Sequence, residues 1–205
     1  MANTQITGNI ISSQITSVAN TQITGNIASS QITSNPTLYG NVSVTGVIAV
    51  GGATPTTNGS GITFPATQSA STNANTLDDY EEGTWTPTVS PGTGSYNGLT
   101  TGGWYVKVGR AVTVFAYWNI TASGSAGGAF SIGGLPFIVL NTGTYGAGSR
   151  GGLIPVREDG VTGISLGAYL DNNTTAGAIQ KYDGTSPAWI TNYVYIMCGT
   201  YISTT

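Results

Sequence analysis

Asp78, Asp79, Glu81 and Glu82, which flank Tyr80, form the one dense charge cluster of the sequence. Several carboxylate oxygens held together are what a hard cation such as Ca²⁺ prefers. Their spacing lacks the alternating ligand positions of a calcium loop, so the interpretation that we favour has no metal. Two structural alternatives stay open: a solvated turn, and hydrogen bonds with salt links across a subunit boundary to Arg110, Arg150 or Arg157.

The same carboxylates could act as an acid/base pair in glycan cleavage. That reaction needs two carboxyl groups held about 5 Å or 6.5–9.5 Å apart in a cleft that fits a sugar. A sequence cannot show this distance, and the chain contains no histidine, the commonest general base. We therefore predict a protein that is not an enzyme and that uses no cofactor.

Aromatic side chains could instead stack on the sugar rings of a ligand. Core or interface packing explains most of them better, including Trp104 and Trp118. The exceptions lie in predicted loops, because loops on a rigid scaffold often carry binding residues. The candidate ligand loops span 143–152, 171–177 and 182–189, and their candidate residues are Tyr145, Arg150, Asn172, Asn173, Tyr182 and Trp189.

These loops need a scaffold, and the sequence from Leu77 onward predicts one made of β-strands. Strand patterns recur at short intervals between glycine-rich turns, which is typical of an antiparallel β-sandwich or barrel. We predict a jelly-roll-like β-sandwich head over 77–205. Its strands are expected at 85–89, 104–108, 111–121, 130–132, 137–140, 151–156, 165–170, 178–182 and 189–201.

The longest predicted strand, 111–121, is apolar on both faces. One face reads Val112, Val114, Ala116, Trp118, Ile120, and the other carries Phe115 and Tyr117. A sheet with one face in water would alternate apolar with plainly polar residues. We therefore expect one face in the core and the other against a neighbouring subunit. The single cysteine, Cys198, lies in a similar apolar strand and is expected to be a small core residue.

The N-terminal residues 1–35 contain a short repeat. Asn3–Ile10 returns as Asn20–Ile27, and Ser12–Ser17 returns as Ser29–Ser34. Two such short units cannot form a self-sufficient solenoid, so the copies must pack against other chains. We predict an extended arm that forms a homotrimeric stem and attaches to the particle through inward-facing isoleucines at Ile6, Ile10, Ile15, Ile23, Ile27 and Ile32. Residues 36–76 show short strand patterns broken by turns, and they are interpreted as a β neck or linker.

The composition argues against several partners. Charged residues make up 6% of the chain and the net charge is −3, so we expect no nucleic-acid binding, which requires clustered Lys and Arg. No stretch approaches the about 20 apolar residues of a membrane-spanning helix. No secretory signal is visible at the N-terminus. Because charges are depleted in interface cores, a chain this poor in charge is expected to cover its surface with other subunits.

Several motifs resemble those of bacteriophage fibre and virion-surface proteins. The most specific is Leu-Asp-Asp-Tyr-Glu-Glu-Gly-Thr-Trp-Thr-Pro at 77–87, and the resemblance covers roughly residues 60–205. Further matches are Gly61–Ala66, Gly103–Gly109, Ile132–Phe137 and Gly199–Tyr201. The resemblance implies a homotrimeric β-sandwich head mounted on a virion. It also implies a structural role for the motif residues Asp78, Asp79, Tyr80, Glu81, Glu82, Trp85 and Pro87.

From these observations we expect a non-enzymatic phage structural protein, made in the host cytoplasm and placed on the virion surface. The favoured form is a homotrimeric short fibre or spike, since the chain has only a short arm where tail fibres usually carry a sizeable anchoring domain. Its expected partners are copies of itself, capsid or tail proteins that receive the arm, and, as a further step, a host surface glycan. The alternative is a capsid decoration protein that stabilises the head at threefold positions.

Overall fold

The computed structural model describes residues 44, 46–55, 58–67, 71–73, 75–143, 150–160, 164–187 and 191–205. The predicted arm with its six isoleucines lies outside these residues, as do Tyr145 and Trp189. The predicted neck is described in part. Residues Thr45–Thr205 form one compact unit.

The described residues form strands, turns and irregular loops, which confirms the predicted all-β class. Two short strands pair in parallel before the acidic motif: β1 (Val47–Ala49) and β2 (Gly61–Thr63). The other strands form one antiparallel sheet. They are β3 (Tyr80–Trp85), β4 (Thr88–Thr93), β5 (Gly98–Val108), β6 (Ala111–Ala122), β7 (Gly127–Gly133), β8 (Arg150–Glu158), β9 (Leu166–Asp171), β10 (Gly177–Lys181) and β11 (Val194–Ile202).

The sheet curls back on itself. Its order is β3-β5-β6-β11-β8-β9-β10-β7-β4, so β3 and β4 lie at opposite ends. Only Thr86 and Pro87 connect these two end strands, which requires the ends to approach each other. The strand expected over 85–89 is therefore wrong as a single element. A proline cannot donate to a sheet ladder, and the buried Pro87 lies where the chain passes from one end of the sheet to the other.

The core lies inside the curl and is formed as the pattern of β6 predicts. All five residues of its first face, from Val112 to Ile120, are buried. The Trp118 ring stacks on the Tyr195 ring, with centroids 5.6 Å apart and planes 6° from parallel. Phe130, Ile132, Ile154, Leu170 and Ile179 close the core from the other strands.

The expectation that Cys198 is a core residue is wrong, because Cys198 is exposed. Both faces of β11 are apolar, so its pattern did not fix which face turns inward. The larger side chains Tyr195, Met197 and Tyr201 fill the core. Alternation along the strand then places Cys198 on the outside, where its partner across the strands is Phe115.

The strand expected over 137–140 is also wrong. It makes only an isolated bridge, between Val139 and Ser203, and its backbone groups find other partners. The Tyr201 hydroxyl donates to the Phe137 carbonyl at 2.9 Å and accepts from the Phe137 N–H at 3.1 Å. A side chain of the last strand thus replaces the hydrogen bonds of a ladder.

Replacing Tyr201 by phenylalanine is expected to cost about 1–3 kcal/mol of unfolding free energy at neutral pH, since two backbone groups lose their partner. Burial also raises the pKa of Tyr201 to about 12. When unfolded, this phenol titrates near pH 10. The stability from its protonated form is complete below about pH 10 and is lost as the pH rises toward 12. Urea unfolding at neutral pH and at about pH 11 should therefore show a smaller alkaline loss in Tyr201→Phe than in the wild type.

Tyr182→Phe is the matched control, because Tyr182 is 85% exposed. It should unfold like the wild type under both conditions. An equal alkaline loss in the wild type and in Tyr201→Phe would contradict the assignment.

Two successive glycines, Gly102 and Gly103, lie beneath aromatic rings on opposite faces of β5. The Tyr117 ring covers Gly102 on the outside, and the Trp85 indole covers Gly103 on the inside. Trp85 is directly opposite Gly103 in the sheet. Its Nε1 donates to the carbonyl oxygens of Trp104 and Phe115, both at 3.2 Å. The absence of a side chain at Gly103 is what lets the motif tryptophan reach these two carbonyls.

Gly103→Ala is therefore expected to destabilise the protein by about 1–3 kcal/mol, the usual cost of overpacking. The added Cβ would lie 2.6 Å from Cε2 of Trp85. Gly152→Ala is the control, since its Cβ would meet Leu170 and Tyr201 at an ordinary 3.6 Å. Chemical denaturation of both variants checks the prediction, and an equal effect in the two would contradict it.

Candidate functional site

The main surface feature is an apolar, uncharged face on the outside of three adjacent strands, which we call the outer sheet face. Alternation along these strands directs lysine inward at Lys107 and leaves no charged residue among their outward positions. Trp104 is 51% exposed and Val106 39% exposed. The outer sheet face consists of Trp104, Val106 and Val108 of β5, Phe115 and Tyr117 of β6, and Ile196, Cys198 and Ile202 of β11.

Aromatic contacts organise the centre of the outer sheet face. Trp104 lies between two rings of the neighbouring strand, with centroid distances of 5.4 Å to Phe115 and 6.2 Å to Tyr117. The strand register brings Trp104 opposite Phe115 and Gly102 opposite Tyr117. The three rings therefore support one another as a fixed apolar platform that is open to solvent in the single chain.

Polar groups border this platform. On the β3 side, the Tyr80 hydroxyl donates to Glu82 at 3.1 Å. On the β8 side, Arg157 lies opposite Ile196. Within the outer sheet face, beside Phe115, the hydroxyls of Thr113 and Thr200 satisfy each other through a hydrogen bond of 2.8 Å across β6 and β11. An apolar centre with a polar border is the usual composition of a protein interface.

The acidic motif divides between the two sides of β3. Tyr80 and Glu82 face outward, whereas Asp79 and Glu81 lie on the inner side with Trp85. Asp78 accepts a hydrogen bond from the backbone N–H of Ser71 at 2.6 Å. The motif therefore comprises β3 and the two residues that precede it. The alternative of a solvated turn is wrong for Asp79, because Asp79 is buried.

Asp79 forms an ion pair with Lys107, and both side chains are almost completely buried. This corrects the partner expected from the sequence, where the open alternative was an arginine of another subunit. The register of β3 and β5 explains the difference, because it places Glu81 directly opposite Lys107 and Asp79 two positions away on the same face. The sequence analysis treated Lys107 as one of several scattered basic residues and did not identify it as the partner of Asp79. Its alternation with Trp104, Val106 and Val108 along β5 could have indicated that it faces inward.

Two aromatic rings cover this buried pair. The Lys107 ammonium lies 5.0 Å from the centre of the Phe137 ring, and Phe137 packs edge-on against Tyr105 at 5.4 Å. Burial lowers the pKa of Lys107, and the nearby Asp78 carboxylate opposes that shift. Burial also raises the pKa of Tyr105, as do the charge of Glu81 and its hydrogen bond with the tyrosine.

The candidate ligand loops are brought together in part. Arg150 at the start of β8 pairs with Asp171 and donates to the Tyr169 carbonyl at 3.2 Å. Asn172 donates to the Asn141 side chain at 3.2 Å. Thr142 connects the two groups, because its hydroxyl donates to the Arg150 carbonyl at 3.0 Å and to Asn172 at 3.5 Å.

Asn173 has a different role from its neighbour Asn172. It adopts a left-handed backbone with φ 58°, a conformation that asparagine tolerates better than most residues. Its N–H donates to the Val139 carbonyl at 3.0 Å. Asn173 therefore shapes a turn.

Tyr182 lies beside a shallow groove on β8 and β9, away from the Asn172 cluster. The groove is lined by Tyr182, Tyr169, Leu153, Pro155 and the residues Ser165–Gly167. The Arg150 guanidinium lies 5.9 Å from the Tyr169 ring, so Tyr169 links the groove to the polar cluster. Tyr169, Asp171 and Thr142 were not among the predicted site residues, and only the strand pairing brings them there.

Two further observations concern chemistry and membranes. Among the residues that the structure describes, no three His, Cys, Asp or Glu side chains come close enough to hold a metal ion. The same part of the chain contains no helix that is long and apolar enough to cross a membrane.

Comparison of the chain with protein-family models, with curated proteins and with solved structures gives no match.

Proposed function

We propose that this chain is a non-enzymatic structural protein of a bacteriophage virion, a homotrimeric short fibre or spike whose β-sandwich-like head projects from the particle. The outer sheet face is the observation that carries the proposal. A monomeric soluble protein rarely exposes a contiguous apolar patch of this kind, and such patches mark contacts between proteins. Copies of the same chain are the partners that need no further component.

The N-terminal part of the sequence supports the same proposal. Residues 1–77 contain no charged residue and begin with the isoleucine repeat. Three arms that bury these isoleucines against one another gain about 1.5–3 kcal/mol per fully buried side chain. The motifs at 77–87 and 103–109 resemble those of phage fibre and virion-surface proteins, and this resemblance is our reason for proposing a place on a particle.

In this proposal the function follows from geometry. The arm attaches the trimer to capsid or tail proteins, and the curled sheet presents its loops outward in three copies. Weak contacts of each loop with a host surface glycan then add through multivalency. The Arg150–Asn172 cluster and the Tyr169–Tyr182 groove are the described surfaces that combine polar and aromatic groups for such contacts.

Two measurements test the proposal. Sedimentation equilibrium of the full chain should give three times the mass of one chain at micromolar concentrations. Electron microscopy of phage particles with a labelled copy of this protein should then show the label on the particle surface. A stable monomer in dilute buffer, or a label that never joins the particle, would refute it.

The capsid decoration alternative shares the trimer and differs in its task. Particles that lack the protein separate the two functions. Poor adsorption to the host with normal heat resistance supports the fibre or spike. Normal adsorption with heads that break at lower temperature supports decoration.

A further inference from the structure

Five side chains meet where the acidic motif enters the sheet. Asp79 and Lys107 are 3% and 1% exposed, and Nζ of Lys107 contacts Oδ2 of Asp79. Phe137 and Tyr105 cover the pair. Glu81 lies directly opposite Lys107 in the β3–β5 register, where cross-strand Cβ atoms are about 4.5–5.5 Å apart. The titratable groups around the Lys107 amine are thus Asp79, which contacts it, Asp78, whose charge acts on its pKa, and Glu81 and Tyr105 on the same face of β3 and β5.

A charged lysine is costly in this environment. An isolated ion in a medium of low polarity is so unfavourable that such groups tend to lose their charge. Burial lowers the pKa of Lys107. Transfer of one proton from the ammonium to the carboxylate leaves a neutral amine against a carboxylic acid, and neither group then carries a buried charge.

We propose that Lys107 and Asp79 react with each other to form an intramolecular amide bond, with Glu81 as the group that moves the proton. The proposal does not rest on the virion function, and it would hold for a monomer. A desolvated lysine amine is a recognised nucleophile. Because Nζ and the carboxyl group are held in contact, the two reactants need no activating cofactor to bring them together.

The reaction balances without an oxidant or a second reagent. The lone pair of Nζ forms a bond to Cγ of Asp79, and the bond between Cγ and the carboxyl hydroxyl breaks. Glu81 takes a proton from the nitrogen and delivers one to the departing hydroxyl, which leaves as water. The products are one amide and one water molecule, and Glu81 is regenerated.

The surroundings favour the amide after it forms. Phe137 and Tyr105 exclude water from the pair, so hydrolysis lacks its reactant. The Glu81 carboxylate lies close enough to the Tyr105 hydroxyl to raise the pKa of Tyr105, after the larger effect of burial. Lys181 offers a contrast, because it is only half-buried and the carboxylate whose pKa its charge lowers, Asp183, is exposed on a turn. We expect no amide there.

Intact mass of the purified, denatured full chain is the direct test. The amide predicts a mass lower by one water molecule than the sequence requires. A protease specific for glutamyl bonds cuts after Glu81 and Glu82, which separates Asp79 from Lys107 in the sequence. Fragments 1–81 and 83–158 should then remain joined as one branched species. A mass equal to that of the sequence, with two separate fragments, overturns the proposal.

Two neighbouring substitutions test the role of Glu81. Glu81→Gln keeps the buried pair and removes the proton carrier, so in freshly synthesised chains followed by mass over time the water-loss species should form roughly 100-fold more slowly, in line with the usual contribution of acid–base catalysis. Glu82→Gln changes the next residue, which faces outward, and should react like the wild type. Equal rates in the two variants would remove Glu81 from the mechanism. The branched fragment would still establish the bond.

Discussion

The Val106→Asp variant is expected to be a folded monomer at concentrations at which the proposed trimer forms from the wild type. Val106 lies near the C-terminal end of β5 on the outer sheet face and is 39% exposed in the single chain, so an aspartate there is solvated before assembly. In the trimer each copy would bury a carboxylate without a partner. A buried carboxylate without a partner costs several kcal/mol. Three such carboxylates in one trimer should cost more free energy than association of the subunits provides.

Val106→Thr is the matched control. Threonine has nearly the same shape, keeps the strand preference of valine and carries no charge, so this variant should remain a trimer. Tyr182→Asp is the control for position, because it places the same carboxylate on an exposed turn. Sedimentation of the three variants, with circular dichroism to check the fold, gives the result. A trimeric Val106→Asp would show that the outer sheet face is not the subunit contact.

Asp79→Ala is expected to lower the unfolding free energy by at least about 3–5 kcal/mol, the usual effect of removing one partner of a buried ion pair, and the proposed amide would add to this loss. Lys107 remains in the core beneath Phe137 with no carboxylate in contact. The loss should be visible in urea unfolding as a shift of the midpoint. A change of less than about 1 kcal/mol would mean that the pair is more solvated than its burial indicates.

The double variant Asp79→Leu with Lys107→Met separates the two contributions of this site. Apolar replacement of both partners removes the penalty of an unpaired buried charge. It does not restore a covalent loop, whose closure from residue 79 to 107 contributes about 3–4 kcal/mol on the chain-entropy account. A remaining deficit of that size supports the amide. Full recovery of wild-type stability indicates that the wild type holds an ion pair alone.

The sequence was most informative where a strand has one dominant apolar face. The inner residues of β6 were predicted as core and all are buried, because five consecutive alternate positions carry no polar side chain. Most other strands of the head were found for the same reason, apart from their ends, whereas the strands expected over 85–89 and 137–140 were wrong. Whether a segment forms a strand can be predicted from this alternation, because the pattern is local in the sequence.

What could not be predicted depends on long-range pairing. Cys198 was assigned to the wrong face, because both faces of β11 are apolar and only the packing of Tyr195 and Met197 selects one. The partner of Asp79 was also missed, since β3 and β5 are separated in the sequence by β4. The residues around Arg150 and Tyr169 meet only after β8 pairs with β9, so their proximity is a property of the sheet.

The position of β11 has a consequence for synthesis of the protein. This strand follows all the others in the sequence, yet it lies in the interior of the sheet, between β6 and β8. During translation β11 is therefore synthesised after every other strand of the head. Until then β6 and β8, the neighbours of β11 in the curled sheet, are not joined through it. Long-range closure of this kind is slow, and exposed edges during the wait are prone to aggregation. From this order of synthesis we expect expression to depend on chaperones, and a chain that stops even close to Val194 should fail to close the sheet.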